Sequence, residues 1–289
     1  METNTPTNNA TLNQKEEVGR YPIEVDGKYG FINKEGETVI KPQFDEVESC
    51  REGLIPVKFK GKWGYINKDG AYVIEPWFEF ALPFSDGVAM VSIFSELAYI
   101  NKEGKYVEET QISDFFTFSE DLAVVKFNNY KCGFIDKQEN TVIEPQFDDA
   151  FNFSEGLASV RLDQNWGYIK KDGEFVIEPK FEFALPFSEG LAVIKTDGKY
   201  GYINKEGEFV IEPRFGEALP FSEGLAVVKT DGKYGYINNE GEFVIDPQFC
   251  SADTFFEGLA KVRINDLGEE HEEFGYINKE GKFVYPRKN

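Results

Sequence analysis

The sequence predicts an all-β protein in which eight tandem copies of an antiparallel β-meander form a propeller-like ring. Three observations support this prediction: a unit that recurs every 34 residues, turn motifs that separate β-branched and aromatic runs, and an apolar pair on the same strand of every copy. The repeat is clearest in residues 180–213 and 214–247, which are identical at 28 of 34 aligned positions.

The period is measured from a small residue that precedes an aromatic-Ile pair in each copy. This residue is Gly30, Gly64, Ala98, Gly133, Gly167, Gly201, Gly235 and Gly275, with gaps of 34, 34, 35, 34, 34, 34 and 40 residues. A second marker, the Glu-Gly-Leu-Ala turn, recurs near the same spacing. Residues 21–289 are therefore predicted to form one repeat domain of eight units, after a flexible polar tail at residues 1–20.

Each unit contains the signals for three strands. The runs LAVVKT and KYGYIN flank Asp231-Gly232, a dipeptide typical of the type I′ turn of a tight hairpin. The next motif, Asn-Lys-Glu-Gly, places Gly207 or Gly241 where a turn needs a positive φ, and a short third strand follows. A proline then removes a backbone donor and is expected to end that strand. These prolines are Pro42, Pro76, Pro145, Pro179, Pro213 and Pro247.

The stretch F-x-x-A-x-x-F-S-E-G that follows the proline is called the crossing segment. It carries two aromatic residues, and we expect it to lead the chain to the next unit while packing against it. Since no capped run of 3.6-residue periodicity occurs, helix content should be very low.

An aromatic residue followed by Ile occupies the inner strand of all eight copies, from Phe31-Ile32 to Tyr276-Ile277. Because neighbours on a strand point to opposite faces, both faces of each unit are apolar and need cover from neighbouring units. The first and last copies keep this pair, which a closed ring would bury. The alternative is an open superhelix of hairpins with uncovered end units.

The segments GKWGYINKDG and NWGYIKKDG carry a motif that resembles the bacterial WG repeat family, over about residues 21–286. The Trp-Gly pair itself stands at Trp63-Gly64 and Trp166-Gly167. Leu97 and Cys132 depart from the aromatic pattern. The resemblance implies a bacterial β-repeat protein that mediates interactions, and it supplies no catalytic residues. A fainter similarity connects the aromatic hairpins with choline-binding cell-wall repeats, whose units are shorter.

The charge of the chain limits its partners. Lys and Arg total 31 against 52 Asp and Glu, a net charge of −21, which repels nucleic-acid phosphates and anionic lipid surfaces. We therefore expect no nucleic-acid binding and no membrane insertion, whereas a protein, a peptide or a glycan is compatible with this charge. The absence of an apolar N-terminal segment or a long apolar run indicates a cytoplasmic protein.

Residues suited to catalysis or cofactor binding are scarce. The single histidine, His271, lies in the acidic insertion NDLGEEHEE of the last hairpin and is interpreted as a solvated loop residue. Neither a phosphate-binding glycine motif nor H-E-x-x-H occurs. Cys50, Cys132 and Cys250 fall at different phases of the repeat, which favours free thiols over disulfides or a zinc site. We expect no enzyme activity, no metal site and no cofactor.

Positions that interrupt the repeat are the candidate partner contacts, because a structural requirement recurs in every unit and a functional one need not. Trp77 stands where other copies have a polar residue. The third unit has Ala98 in place of Gly and lacks the proline, and the fourth has an extra residue at Asn128-Asn129. We therefore predict contacts at Trp77, Ala98, Asn128 and Asn129. Packing of Trp77 on its own crossing segment, and simple drift of the third unit, stay open as alternatives.

Three functions are compatible with these observations. The first is a non-enzymatic interaction scaffold that binds another protein through its acidic β-repeat surface. The second is a carbohydrate-binding or cell-wall-binding repeat protein. The third is a hydrolase with a carboxylate site in a central channel, a place where propellers often carry their sites.

Overall fold

The predicted meanders form eight separate antiparallel sheets, which we call blades 1 to 8 in chain order. The computed structural model describes residues 19–85, 87–94, 96–107, 118–127, 130–264 and 274–286. None of these described residues lies in a helix. Of the predicted flexible tail at residues 1–20, only Gly19 and Arg20 are described, and His271 also lies outside the described residues.

The strands of the first four blades follow chain order. Blade 1 consists of β1 (Tyr21–Val25), β2 (Lys28–Ile32) and β3 (Thr38–Phe44). Blade 2 consists of β4 (Glu46–Val47), β5 (Leu54–Phe59), β6 (Lys62–Asn67) and β7 (Tyr72–Phe78). Blade 3 consists of β8 (Phe80–Ala81), β9 (Val88–Ile93), β10 (Glu96–Asn101) and β11 (Tyr106–Val107). Blade 4 consists of β12 (Leu122–Lys126), β13 (Cys132–Asp136) and β14 (Thr141–Phe147).

The last four blades each have four strands. Blade 5 consists of β15 (Asp149–Ala150), β16 (Ala158–Leu162), β17 (Asn165–Ile169) and β18 (Phe175–Phe181). Blade 6 consists of β19 (Phe183–Ala184), β20 (Ala192–Thr196), β21 (Lys199–Ile203) and β22 (Phe209–Phe215). Blade 7 consists of β23 (Glu217–Ala218), β24 (Ala226–Thr230), β25 (Lys233–Ile237) and β26 (Phe243–Phe249). Blade 8 consists of β27 (Ser251–Ala252), β28 (Leu259–Arg263), β29 (Phe274–Asn278) and β30 (Phe283–Tyr285).

The first strand of each four-stranded blade is a two-residue element that the sequence did not predict. It is the start of the crossing segment, which pairs with the following hairpin before it leaves the sheet. In blade 6, Phe183 pairs with Lys195 and Ala184 with Ile194. In blades 1 and 4, the corresponding residues lie outside the described part of the chain.

The hairpin turns have the predicted geometry. Asp231 and Gly232 have φ angles of 49° and 81°, so both central residues are left-handed, as a type I′ turn requires. At the next turn, Gly207 has a φ of 82° and its N–H donates to the carbonyl of Asn204. The side-chain oxygen of Asn204 accepts a second bond from the N–H of Glu208, which explains the recurrence of Asn-x-x-Gly.

The proline does not end the third strand, which corrects the prediction. In blade 6, β22 continues two residues past Pro213 through a bulge, because Tyr202 pairs with Ile211 whereas Tyr200 pairs with Phe215. The bulged backbone lies directly over Gly201, where a Cβ would be 2.6 Å from the Ile211 carbonyl oxygen and 2.7 Å from the Pro213 nitrogen. The bulge therefore explains both the proline, which needs no ladder donor there, and the glycine of the repeat motif.

The core lies between blades. Tyr202 and Ile203 are fully buried, and one cluster joins Tyr202 of blade 6 to Val228 and Ile237 of blade 7. The Tyr202 hydroxyl donates to the Leu219 carbonyl oxygen at 2.8 Å, and burial raises the pKa of this tyrosine well above its usual value. Both faces of each regular inner strand are therefore covered, as the sequence predicted.

The interface between two successive blades is called a joint. An inter-blade clasp, built from a glutamate of one blade and a turn of the next, adds polar contacts at the joints. The Glu155 carboxylate accepts the N–H of Gly190 at 3.1 Å and forms an ion pair with Lys205 at 3.1 Å. Equivalent glutamates at five joints contact the next blade's turn; these are Glu52, Glu120, Glu155, Glu189 and Glu223.

The two ends of the array meet, so the predicted ring is closed and the open superhelix is wrong. Tyr21 of blade 1 packs edge-on against Tyr276 of blade 8 with ring centroids 5.6 Å apart. The Tyr276 hydroxyl donates to the Pro22 carbonyl oxygen at 2.8 Å, and the Tyr21 hydroxyl donates to the Glu257 carbonyl oxygen at 2.6 Å. Blade 8 thus packs directly against blade 1, with Tyr276 bonded to β1 where Tyr202 of blade 6 bonds to the next crossing segment.

Candidate interaction surface on blade 3

A cross-strand row of charged and aromatic residues covers the hairpin of the regular blades. In blade 7, Glu217 pairs with Lys229, and Lys229 pairs with Tyr234. Paired residues of adjacent antiparallel strands lie on the same face, so their side chains interact. The second position of this row is a cation in six blades: Lys58, Lys126, Arg161, Lys195, Lys229 and Arg263.

The blade 7 row satisfies its polar groups internally. Lys229 Nζ lies 2.8 Å from Glu217 Oε1 and 4.8 Å from the centroid of the Tyr234 ring, and the Tyr234 hydroxyl donates to Glu217 Oε2 at 2.6 Å. These hydrogen bonds from Lys229 and Tyr234 lower the pKa of Glu217, which keeps it ionised. A partner has few open groups to bind here.

Blade 3 replaces the row with uncharged residues. Phe80 pairs with Ser92, and Ser92 pairs with Leu97. Phe80 is 41% exposed and Leu97 is 62% exposed. Their backbones lie two strand spacings apart, about 10 Å, which one partner element can cover.

Two further large apolar side chains extend this surface. Trp77 is 64% exposed and lies three residues before Phe80, which places the two within about 11 Å along the chain. Phe94, in the hairpin turn that joins β9 to β10, is 86% exposed. We call Trp77, Phe80, Phe94 and Leu97 the blade 3 patch. Trp77 lies in β7 of blade 2 and the other three residues lie in blade 3. Several exposed large apolar residues at adjacent blades are typical of an interaction site.

Acidic residues border the blade 3 patch. Glu75, Glu79 and Glu96 are exposed and adjoin its members in sequence. Glu79 forms an ion pair with Lys62 at 3.8 Å, whereas Glu96 has no ion-pair partner among the described residues. The patch therefore combines an apolar centre with an acidic rim.

The predicted contact residues have different outcomes. Trp77 is exposed and belongs to the blade 3 patch, whereas Ala98 is partly buried and packs against the core cluster between blades 2 and 3. In blade 3, Ile100 pairs with Tyr106 and Tyr99 with Val107 without the usual register shift. The residues of blade 3 that correspond to Ile211–Pro213, which cover the glycine in blade 6, lie outside the described part of the chain. Asn128 and Asn129 lie outside the described residues.

Phe80, Phe94 and Leu97 were missed as contacts, although Leu97 was recognised as a departure from the aromatic pattern. A signal for them was present in the sequence. If the hairpins are aligned strand to strand, Ser92 is the position where six other blades hold Lys or Arg. Because Ser92 replaces that cation, the blade 3 row is the one cross-strand row among the described residues that has no charged residue.

The geometry defines a class, the closed propeller-like β-repeat proteins, with eight blades and one irregular apolar face. A family model described as WG containing repeat matches seven segments, residues 29–63, 63–93, 98–130, 133–166, 166–200, 200–234 and 234–267. Because these segments cover most of the sequence, the chain belongs to the WG repeat family.

Solved structures share the fold at low sequence identity. A crystal structure titled as the eukaryotic initiation factor is similar with a TM-score of 0.58 and 10% identity, covering 92% of this chain and 95% of that one. Hsv2p of Kluyveromyces lactis matches with a TM-score of 0.44 and 9% identity, covering 82% of this chain and 97% of that one. The first likeness supports the fold, and neither transfers a function.

No curated protein matches the chain in a sequence comparison. Within the described residues, no helix has the length and apolar character needed to cross a membrane.

Proposed function

We propose that this protein is a non-enzymatic interaction scaffold that binds a partner protein through the blade 3 patch. The observation that carries the proposal is the replacement of the row's cation and aromatic ring by Ser92 and Leu97, with Leu97 and the neighbouring Phe80 exposed. In regular blades the same face is occupied by ion pairs and cation–π contacts made within the blade.

The chemistry of the partner follows from the patch and its border. Large apolar and aromatic anchors are the side chains that dominate protein interfaces, and Trp77 and Phe94 supply them on this side. The acidic rim and the net charge of −21 favour a partner with Lys or Arg around an apolar centre, and accelerate its association at low salt.

The test is affinity capture with quantitative mass spectrometry, using the wild type, Leu97→Lys and a matched control. Val244→Lys is the control, because Val244 is 46% exposed on the regular blade 7. We expect one or more proteins to be retained by the wild type and by Val244→Lys, and lost by roughly tenfold or more with Leu97→Lys. Binding of the recovered partner is then measured with purified components at two salt concentrations.

Equal retention by all three variants would show that the blade 3 patch is not the binding surface. Turnover of a small-molecule substrate by the purified chain, lost with an acidic-residue variant, would replace the scaffold with the hydrolase.

A second candidate function, glycan binding, is favoured by one observation, the 64% exposed indole of Trp77. Sugar rings pack on exposed aromatic faces through apolar contacts. Sedimentation with purified peptidoglycan, compared between the wild type and Trp77→Ala, tests it. A wild-type pellet that disappears with Trp77→Ala would favour glycan binding, and an empty wild-type pellet would remove it.

A further inference from the structure

At the regular joints, an aromatic plug from one crossing segment fills the space beside the inner-strand aromatic residue of the preceding blade. The ring centroids of five such pairs lie 4.8–4.9 Å apart. The plugs are Phe84, Phe153, Phe187, Phe221 and Phe255. Each closes its joint with an apolar contact.

Among the described residues, no phenylalanine plug lies at the joints on either side of blade 1. In blade 2, Cys50 stands where the phenylalanine of the repeat is expected, beside Phe31 of blade 1. At the joint between blades 8 and 1, Tyr21 packs against Tyr276 in its place, at a longer centroid distance of 5.6 Å. A cavity of about 630 Å3 lies here, lined by residues of blades 8, 1 and 2. Its volume is in the range of small-ligand sites.

The walls of this cavity are partly aromatic. Phe31, Tyr21 and Tyr276 line it, and Phe256 adds a face that is 57% exposed. Five other blades have serine at the Phe256 position, such as Ser188, and blade 2 has Arg51 there. The tyrosine hydroxyls are already bonded to carbonyl oxygens, so the walls offer ring faces more than hydroxyl groups.

The charge of the lining differs from that of the chain. Arg20, Arg51 and Lys261 outnumber Glu48 and Asp253, in a protein whose net charge is −21. Arg20 donates to the Lys68 carbonyl oxygen, while exposed Arg51 has no ion-pair partner among the described residues. Desolvation raises the pKa of Asp253, against the opposing effect of Lys261. The lining therefore carries a positive formal charge, opposite in sign to that of the whole chain.

We propose that this cavity binds an aromatic carboxylate, whose ring takes the place of the missing plug beside Cys50 and Phe256 and whose carboxylate binds Arg51. The source is either a small aromatic acid or the C-terminal aromatic residue of a peptide. Both present the same ring and the same carboxylate. Guanidinium groups pair with carboxylates through two parallel hydrogen bonds, which gives Arg51 a specific role.

The test is calorimetric titration of the full chain with N-acetyl-phenylalanine, its amide, and the peptide Gly-Gly-Phe. We expect the acid to bind and the amide to bind roughly tenfold more weakly or not at all, because a charge-assisted hydrogen bond is lost. Tighter binding of Gly-Gly-Phe than of the acid identifies a peptide terminus as the source, and the reverse order identifies a small acid. Failure of all three to bind overturns the proposal.

Two variants locate the site. Cys50→Phe restores the plug found at five other joints and should abolish binding without lowering the melting temperature. Arg51→Glu should reduce the affinity for the acid by at least about tenfold while leaving the weaker amide unaffected. The control is Lys41→Glu, an equal charge change at an exposed residue outside the cavity, which should bind as the wild type does. Undiminished binding by Cys50→Phe would show that the cavity is not the binding site. This outcome is independent of the tests on the blade 3 patch.

Discussion

Blade 3 is built from the same repeat unit as blades 6 and 7, but it keeps fewer of the unit's characteristic residues. Blades 6 and 7 keep the glycine, the proline bulge and the cation of the cross-strand row. Blade 3 has Ala98 in place of the glycine and Ser92 in place of the cation, and its sequence lacks the proline. Its Leu97 is exposed at the position where blades 6 and 7 carry Tyr200 and Tyr234. The loss of several repeat features in one blade indicates that a structural constraint was released there.

The glycine and the proline of this repeat are structurally coupled, because the backbone at the proline packs over the glycine. Gly201 leaves room for the backbone that bulges at Pro213, and Ala98 stands in the blade whose described pairs have no bulge. Replacing the glycine alone therefore creates a clash where the bulge is present.

The strongest test of this coupling is Gly201→Ala. Its Cβ would lie 2.6 Å from the Ile211 carbonyl oxygen, and the opposing atoms are backbone, so blade 6 has to shift. We expect a loss of at least about 3 kcal/mol of unfolding free energy, seen as a large drop in the thermal midpoint or as insoluble protein. Ala98→Gly, the reverse change in blade 3, should cost less than about 1 kcal/mol. Similar midpoints for the two variants would contradict the coupling.

The second test removes one buried hydroxyl. Tyr202→Phe deletes the donor to the Leu219 carbonyl oxygen and should cost about 1–2 kcal/mol in chemical denaturation. Tyr106→Phe in blade 3 is the control, since Tyr106 is 65% exposed and should change the stability by less than about 0.5 kcal/mol. An equal effect of both would mean that the joint hydroxyl contributes nothing specific.

The third test concerns the clasp and pH. Desolvation raises the pKa of Glu155, but the Gly190 N–H and Lys205 together lower it by a larger amount. The pKa of Glu155 is therefore below its usual value. The clasp therefore stabilises the folded state above about pH 4.3, the unfolded pKa, and this stabilisation is lost as the pH falls through the lower folded pKa.

Glu155→Gln should lower the thermal midpoint by about 2–3 °C at neutral pH, since the group is partly exposed. The difference from the wild type should shrink below about pH 4. Glu178→Gln, at an exposed residue of the same blade, should leave the midpoint unchanged. A difference that grows on acidification would have the wrong sign for a clasp.

The smallest stability effect is expected in the blade 3 patch. Leu97→Lys replaces a 62% exposed side chain and should change the unfolding free energy by no more than about 0.5 kcal/mol. A loss of 2 kcal/mol or more in urea denaturation, on the order of a core substitution, would show that Leu97 supports blade 3 rather than a partner.

Local patterns in the sequence were enough to predict the repeat, the hairpin turns and the closed ring. Asp-Gly and Asn-x-x-Gly specify turns within a few residues, and Tyr-Ile on one strand requires cover on both faces. The path of the third strand was not predictable in this way. Whether Pro213 ends β22 or lies in a bulge depends on the pairing of β22 with β21 and on the contact with Gly201, which the turn motifs do not specify.

The candidate surface was predicted only in part. Trp77 was identified because it interrupts a polar position, whereas Ala98 packs against the core cluster between blades 2 and 3. Phe80 also resembles Phe183 of blade 6, which is covered by Trp166 at 5.8 Å. The exposure of Phe80 therefore depends on how the neighbouring blade packs, which the residue type does not reveal.

The contact between Tyr21 and Tyr276 also bears on how such a chain can evolve. An open array can gain or lose one 34-residue copy and keep every remaining interface. A closed ring cannot, because the turning angle per copy has to sum to one full revolution. The copy number is therefore a property of the whole circle, and sequence change within a copy, as in blade 3, is the route to diversity that leaves the circle intact.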